Sequence, residues 1–145
     1  MKKIVLLMLS VMLLASCDTA VNKAAITGVQ QDVTDPQYGK GMLINVTYQL
    51  AGKLEPNYKC AVQFADADGN PLIDNNNQFA STNGIVTCGC EFSPSENMGS
   101  VSVFMPYDEL HIPLKRPIEL QVGAGIFNSF LEEIVRTDLT NITIK

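Results

Sequence analysis

An all-β domain is predicted for this chain: an immunoglobulin-like β-sandwich of about seven to nine strands that follows a cleaved signal peptide. Three observations carry the prediction. Apolar residues alternate with polar ones in Met42–Leu50, Tyr58–Phe64, Val101–Met105 and Ile118–Val122, the spacing of half-buried strands. Clusters of Gly, Pro, Asn and Asp punctuate these runs every 8–12 residues or roughly so. Beyond the leader, no stretch shows the apolar spacing of a helix. The Greek-key topology rests on strand count alone, because the chain has no Trp and the pairing of its cysteines is open.

The leader comes first in the chain. Lys2 and Lys3 precede the apolar run Ile4–Leu14, which is shorter than the roughly 20 residues a membrane-spanning helix needs and suits a secretory h-region. Leu14-Ala15-Ser16-Cys17 closes the run. This string resembles the lipobox of bacterial lipoproteins, and the resemblance implies removal of residues 1–16 and a thioether-linked diacylglycerol on Cys17, usually with a third acyl chain on its amine. The alternative is an ordinary secretory leader cut near Ala15, which leaves Cys17 a plain thiol. Each buried lipid CH₂ contributes about 0.8 kcal/mol, and two or more chains give stable anchoring. Residues 17–24 then form a lipidated cysteine and a polar tether, with a domain over 25–145. The tether after Cys17 spans about 25 Å when fully extended, which keeps the domain close to the bilayer. The expected address is the bacterial cell envelope, with the outer membrane favoured. Asp18 leaves the leaflet open: some bacteria read an acidic cluster there as a surface signal, others an aspartate as inner-membrane retention.

Loss of residues 1–16 removes two of 10 basic side chains and none of 15 acidic ones, so the net charge moves from −5 to −7. That balance excludes nucleic acid as a natural partner and excludes a polybasic grip on anionic headgroups. With Cys17 acylated, Cys60, Cys88 and Cys90 remain. Three readings of them stand: reduced buried thiols, one disulfide from Cys60 to Cys88 or Cys90, or a metal site. A disulfide would close a loop of about 30 residues and contribute about 3 kcal/mol. Cys88-Gly89-Cys90 with the lone His111 is a poor zinc set, which wants four N or S ligands. Nor has Cys60 a basic partner that would activate it, since Lys59 points to the opposite face of a strand.

Within the domain, Ala25–Val33 is a weak polar strand expected at an edge, and Asp35-Pro36 with Gly39-Lys40-Gly41 breaks the chain. Met42, Ile44, Val46, Tyr48 and Leu50 face one way, and Tyr58, Cys60, Val62 and Phe64 do likewise in the next strand. Asp66–Pro71 is a turn in which Gly69 supplies positive φ. A short strand at Leu72-Ile73, a polar loop Asp74–Gln78 and a strand Ile85–Phe92 follow. Pro106 ends the Val101–Met105 strand. Gly123 and Gly125 suggest a bend or close backbone approach after Val122. Asn128–Glu132 reads as a loop, and the apolar parity change in Ile134–Ile144 predicts a bulge or break near Asp138–Asn141.

Gly41-Met42 opening a strand, Asp68-Gly69-Asn70-Pro71-Leu72, Phe92-Ser93-Pro94 and Phe104–His111 together are similar to an uncharacterised β-sandwich module of bacterial envelope and multidomain proteins. The resemblance covers about residues 25–127 and implies the fold and an accessory role, with no activity. Asp66, Asp68 and Asn70 invite a calcium reading, yet the Gly falls early for an EF-hand and its twelfth position is Asn77 rather than Glu; a hairpin turn explains the string better. His111 has Asp108, Glu109, Ser100 and Ser102 nearby in sequence, but neighbours on one loop rarely form a nucleophile–base–orienter set. Without Trp, sugar stacking falls to Tyr38 and Tyr107, expected on loops, while Tyr48 and Tyr58 fit the core. The expected protein is therefore a non-enzymatic, membrane-anchored module with no cofactor that binds another envelope protein, for which an edge such as Ala25–Val33 is a natural pairing site. The alternative is a glycan- or cation-binding envelope module.

Overall fold

A computed structural model describes residues 20–145. The expected leader, Cys17 and most of the expected tether lie outside the described residues. Two antiparallel sheets pack face to face. One holds β1 (Lys23–Asp35), β2 (Gly39–Gln49) and β5 (Met98–Pro106) in the order β1-β2-β5. The other holds β4 (Thr87–Phe92), β3 (Tyr58–Asp66), β6 (Ile118–Phe127) and β7 (Glu133–Arg136) in the order β4-β3-β6-β7, with β8 (Thr140–Ile144) also paired to β6. The chain changes sheets between β2 and β3, between β4 and β5, and again between β5 and β6. Those crossings are the Greek-key connections of an immunoglobulin-like sandwich.

The period-two pattern explains which face each strand buries. Met42, Ile44 and Val46 of β2 and Val103 and Met105 of β5 meet Cys60, Val62, Phe64, Leu120 and Val122 of the opposite sheet. The predicted inward set of β2 is therefore the observed one. A smaller cluster of Tyr48, Leu50, Tyr58 and Ile126 closes one end. Gly41 is required where β2 runs past the end of β5. A Cβ there would lie 2.2 Å from the Met105 carbonyl oxygen, a clash with backbone that no rotamer relieves.

Several elements differ from the sequence expectation. Leu72-Ile73 is not a strand: Ala65 bridges Pro71 and Ile73 bridges Ile85 as isolated contacts. Asp and Asn side chains along this segment hydrogen-bond its backbone and compete with a ladder. Gly123 and Gly125 do not bend β6, which runs on to Phe127. Instead Leu139 Cδ2 and Glu133 Oε2 each approach to 3.0 Å of where a Cβ would stand, so these glycines admit the side chains of the neighbouring edge. β7 and β8 lie along the same side of β6 as one interrupted strand. The interruption at Thr137–Leu139 overlaps the break expected near Asp138–Asn141. Thr137 Oγ1 accepts the Ala124 N–H at 3.0 Å while the Thr137 N–H donates to the Ala124 carbonyl at 2.8 Å, so a side chain completes the ladder across the break.

Replacing Gly41 by Ala is expected to destabilise the fold by about 1–3 kcal/mol, read as a lower urea midpoint with an unchanged slope. An unchanged midpoint would show that β2 and β5 are not held at this separation.

Candidate functional site

The sandwich has two unlike ends. At one, Lys23 stands in a row with Gln49 and Met98, beside the connections 50–57, 93–97 and 128–132. The other carries the β1–β2 turn, the long connection 67–86, and the β5–β6 connection, which opens with a 3₁₀ turn over Tyr107–Leu110. Chemistry-bearing side chains gather at this second end.

The β5–β6 connection is pinned by its own apolar residues. Tyr107 and Leu110 are buried, which leaves Glu109 beside them partly covered and sets His111 in the left-handed region at φ 54°. Tyr107 accepts the Asp32 N–H on its hydroxyl at 2.9 Å. Arg116 stacks over the Tyr107 ring at 5.0 Å and grips the Asp32 carboxylate with both terminal nitrogens, at 2.8 and 3.2 Å. It also donates to the Lys145 carbonyl. The hydrogen bonds from Arg116 hold the Asp32 carboxyl below its ordinary pKa. Asp32 has φ 57° and sits where the β1–β2 register slips, so this cluster fastens a bulge of β1 to Lys145, just after β8.

Against the same connection lies the segment Asp74–Phe79. The Asp74 side chain is fully buried, and its oxygens accept N–H groups of Asn76 and Phe79, each at 3.1 Å. His111 Nε2 lies 2.6 Å from Asp74 Oδ1 and 3.3 Å from Glu109 Oε2. Asn76 Nδ2 donates to that Glu109 oxygen at 3.0 Å. The three side chains bring ligand-type atoms within 4.8 Å of one another. Burial pushes the Asp74 carboxyl up, but the N–H bonds of Asn76 and Phe79 and the nearby imidazole outweigh it, and the net shift is downward.

The other sequence candidates fall elsewhere. Asp66 Oδ1 accepts the backbone N–H groups of Asp68 and Asn70 at 3.0 and 2.9 Å, and Asn70 Nδ2 donates to both Asp66 oxygens. Gly69 has φ 85°. The string Asp66, Asp68, Asn70 is thus a turn in which the Asp66 carboxylate bonds the turn's own N–H groups. Ser100 and Ser102 pair with Thr47 and Asn45 within the β2–β5 ladder, away from the end that holds His111, and Ser102 Oγ bonds Asn45 Oδ1 at 2.6 Å. Tyr107 is buried rather than available for stacking, whereas Tyr38 is 45% exposed and meets Phe79 edge-on at 5.5 Å. Cys60 and Cys90 face each other across β3 and β4, and Cys88 faces Val62. All three are free thiols. Burial pushes the Cys60 thiol up to about 12 and raises Cys88 and Cys90 as well. The sequence places Asp74 in a polar loop whose oxygens, Asp74 to Asn77, keep a weak cation site open, and sets Glu109 and His111 as neighbours on another loop; no fixed spacing signals their meeting, because two separate connections supply them.

No protein-family model matches the chain, and no curated protein matches it. Among the described residues, no helix is long and apolar enough to cross a membrane.

Two outcomes follow from these environments. A carboxyl with a lowered folded pKa contributes stability above its unfolded value of about 3.9 and loses it as the pH falls through the folded value. Asp32→Asn is expected to lower Tm at pH 7 and to converge on the parent as the pH falls below the folded, lowered value of Asp32; a Tm gap that does not narrow in acid would contradict the Asp32–Arg116 account. Native alkylation with iodoacetamide at pH 8 is expected to spare Cys60 and Cys88 and to label them only after denaturation, because buried thiols with raised pKa hold little thiolate. Peptide mass mapping distinguishes the cases, and rapid native labelling of Cys60 would contradict the burial.

Proposed function

We propose that the protein is a lipid-anchored, non-enzymatic binding module of the bacterial cell envelope, held at Cys17 and presenting the far end of its sandwich to another envelope protein. One observation carries this reading. The chain enters the domain at Lys23, on the end where Phe130 and Leu131 are 79% and 69% exposed and Met98 is 66% exposed. A tether of about 25 Å from an acylated cysteine keeps that end against the bilayer. Apolar tips are suited to a lipid interface and unfavourable in water.

The opposite end then faces outward. Tyr38, Ile73 and Leu114 are exposed there, each on a different connection, which favours a protein partner over a single stacking platform. β1 is an edge strand, but partner pairing along Ala25–Val33 is hindered. Asn22 Nδ2 donates to the Ile134 carbonyl at 3.5 Å, and Gln31 bonds the Thr143 carbonyl and the Lys145 N–H at 2.7 and 2.9 Å. The register also slips twice along β1. Bulges and side-chain ties of this kind blunt an edge against added strands. The end loops are therefore the better contact surface.

Amine cross-linking in intact native cells, followed by mass spectrometry, tests the reading. A dominant envelope-protein partner joined through Lys40, Lys115 or Lys145 is expected, with Cys17→Ser releasing the protein from the membrane fraction. Partner links confined to Lys23 and Lys53 would overturn the orientation. Enrichment of wall or capsule glycan without a protein partner would replace the reading with a sugar-binding one.

A further inference from the structure

We infer that Asp74, Glu109 and His111 form a binding site for one transition-metal dication of the Zn²⁺ class, which ties the connection 67–86 to the β5–β6 connection. The inference depends neither on lipidation nor on the partner proposed above.

The central observation is the state of His111 Nε2. It is shielded from solvent and has no hydrogen bond of good geometry, although it is paired with carboxylate oxygens at 2.6 and 3.3 Å and helps to lower the Asp74 carboxyl. The separation is that of a bonded pair, but the direction is not that of an N–H donating to either oxygen. One imidazole nitrogen and two carboxylate oxygens, all within 4.8 Å of one another, are a donor set of the kind that holds a transition-metal ion. A cation between the three atoms would engage all of them. Zn²⁺ ligand bonds of about 2.0–2.2 Å place tetrahedral ligand atoms about 3.3–3.6 Å apart. The Nε2 to Glu109 Oε2 distance already fits, and the Nε2 to Asp74 Oδ1 distance needs to open by under about 1 Å to do so.

Charge points the same way. Two carboxylates converge here, and among the described residues their ion pairs are with His111, not with Lys or Arg. A dication would neutralise them. Around the three lies an outer layer of donors: the Asn76 and Phe79 N–H groups aim the Asp74 carboxylate, and Asn76 Nδ2 aims Glu109. Such partners orient metal ligands in known sites. One imidazole with two carboxylates selects transition dications over Ca²⁺ and Mg²⁺, which prefer all-oxygen sets of higher number. The thiols do not contribute, since Cys60, Cys88 and Cys90 belong to β3 and β4 of the core.

The test uses the full mature chain purified in detergent, stripped with chelator and dialysed against Zn²⁺, with bound metal counted by mass spectrometry. One Zn²⁺ per chain is expected, with Tm raised by Zn²⁺. Glu109→Gln and His111→Gln are expected to weaken binding at least tenfold and to abolish the Tm response. Both side chains are partly exposed, and circular dichroism confirms that each variant is folded. Co²⁺ substituted for Zn²⁺ is expected to show d–d bands without thiolate charge transfer. Absence of Zn²⁺ binding, binding unchanged in both variants, a thiolate band, or equal displacement by Ca²⁺ or Mg²⁺ would each overturn the assignment.

Discussion

The far end of this domain depends on the burial of two residues, Tyr107 and Leu110, just after β5. The chain must there leave one sheet, cross the open end of the sandwich and enter the other as β6. Such a crossing exposes core unless something caps it. Leu110 is fully buried and Tyr107 nearly so, and burying side chains of that size stabilises by about 1.5–3 kcal/mol each. Everything nearby takes its place from this plug: the Tyr107 hydroxyl receives the bulged Asp32 N–H, and Arg116 lies over its ring. The 3₁₀ turn that carries both anchors also delivers Glu109 and His111 to one spot.

The connection 67–86 solves a different problem. It is long, and it must satisfy its backbone without a ladder. Asp66, Asp74 and Asn76 do so with side-chain oxygens, each accepting N–H groups a few residues on. Local bonding of this kind substitutes for strand pairing. It has a consequence for chemistry, because an Asp used as a backbone acceptor is also an Asp held rigidly. Asp74 is buried and fixed where His111 arrives, while Asp66 is fixed within its own turn, bonded to Asp68 and Asn70. Two aspartates with the same local habit thus differ in what they can bind.

The division of the surface follows from topology. β1 and β6 set which loops share an end, so the apolar tips Phe130 and Leu131 stand with the start of β1, and the polar cluster stands opposite. The cysteines take no part in either end. They fill core positions in one sheet, whereas the disulfide of antibody domains links the two sheets. Their inward parity on β3 and β4 makes them small apolar residues here.

The period-two runs determined the sandwich, because alternation dictates which face a strand can bury, and Met42, Ile44, Val46 and Tyr48 do so as their spacing requires. The turn at Asp66–Pro71, the edge position of β1 and the break before β8 were legible for the same local reason: glycines, prolines and parity changes act within a few residues. Tertiary structure alone decided that Leu72-Ile73 forms only bridges, that Tyr107 is buried, and that Gly123 and Gly125 make room for neighbours rather than bend the strand. It alone joined Asp74 to Glu109 and His111. Those residues come from two connections, one joining β3 to β4 within a sheet and the other crossing between the sheets, and nothing in their spacing encodes the meeting. Local sequence sets backbone habit and facing; the approach of distant side chains is set by how the sheets pack and where the crossing between them is plugged.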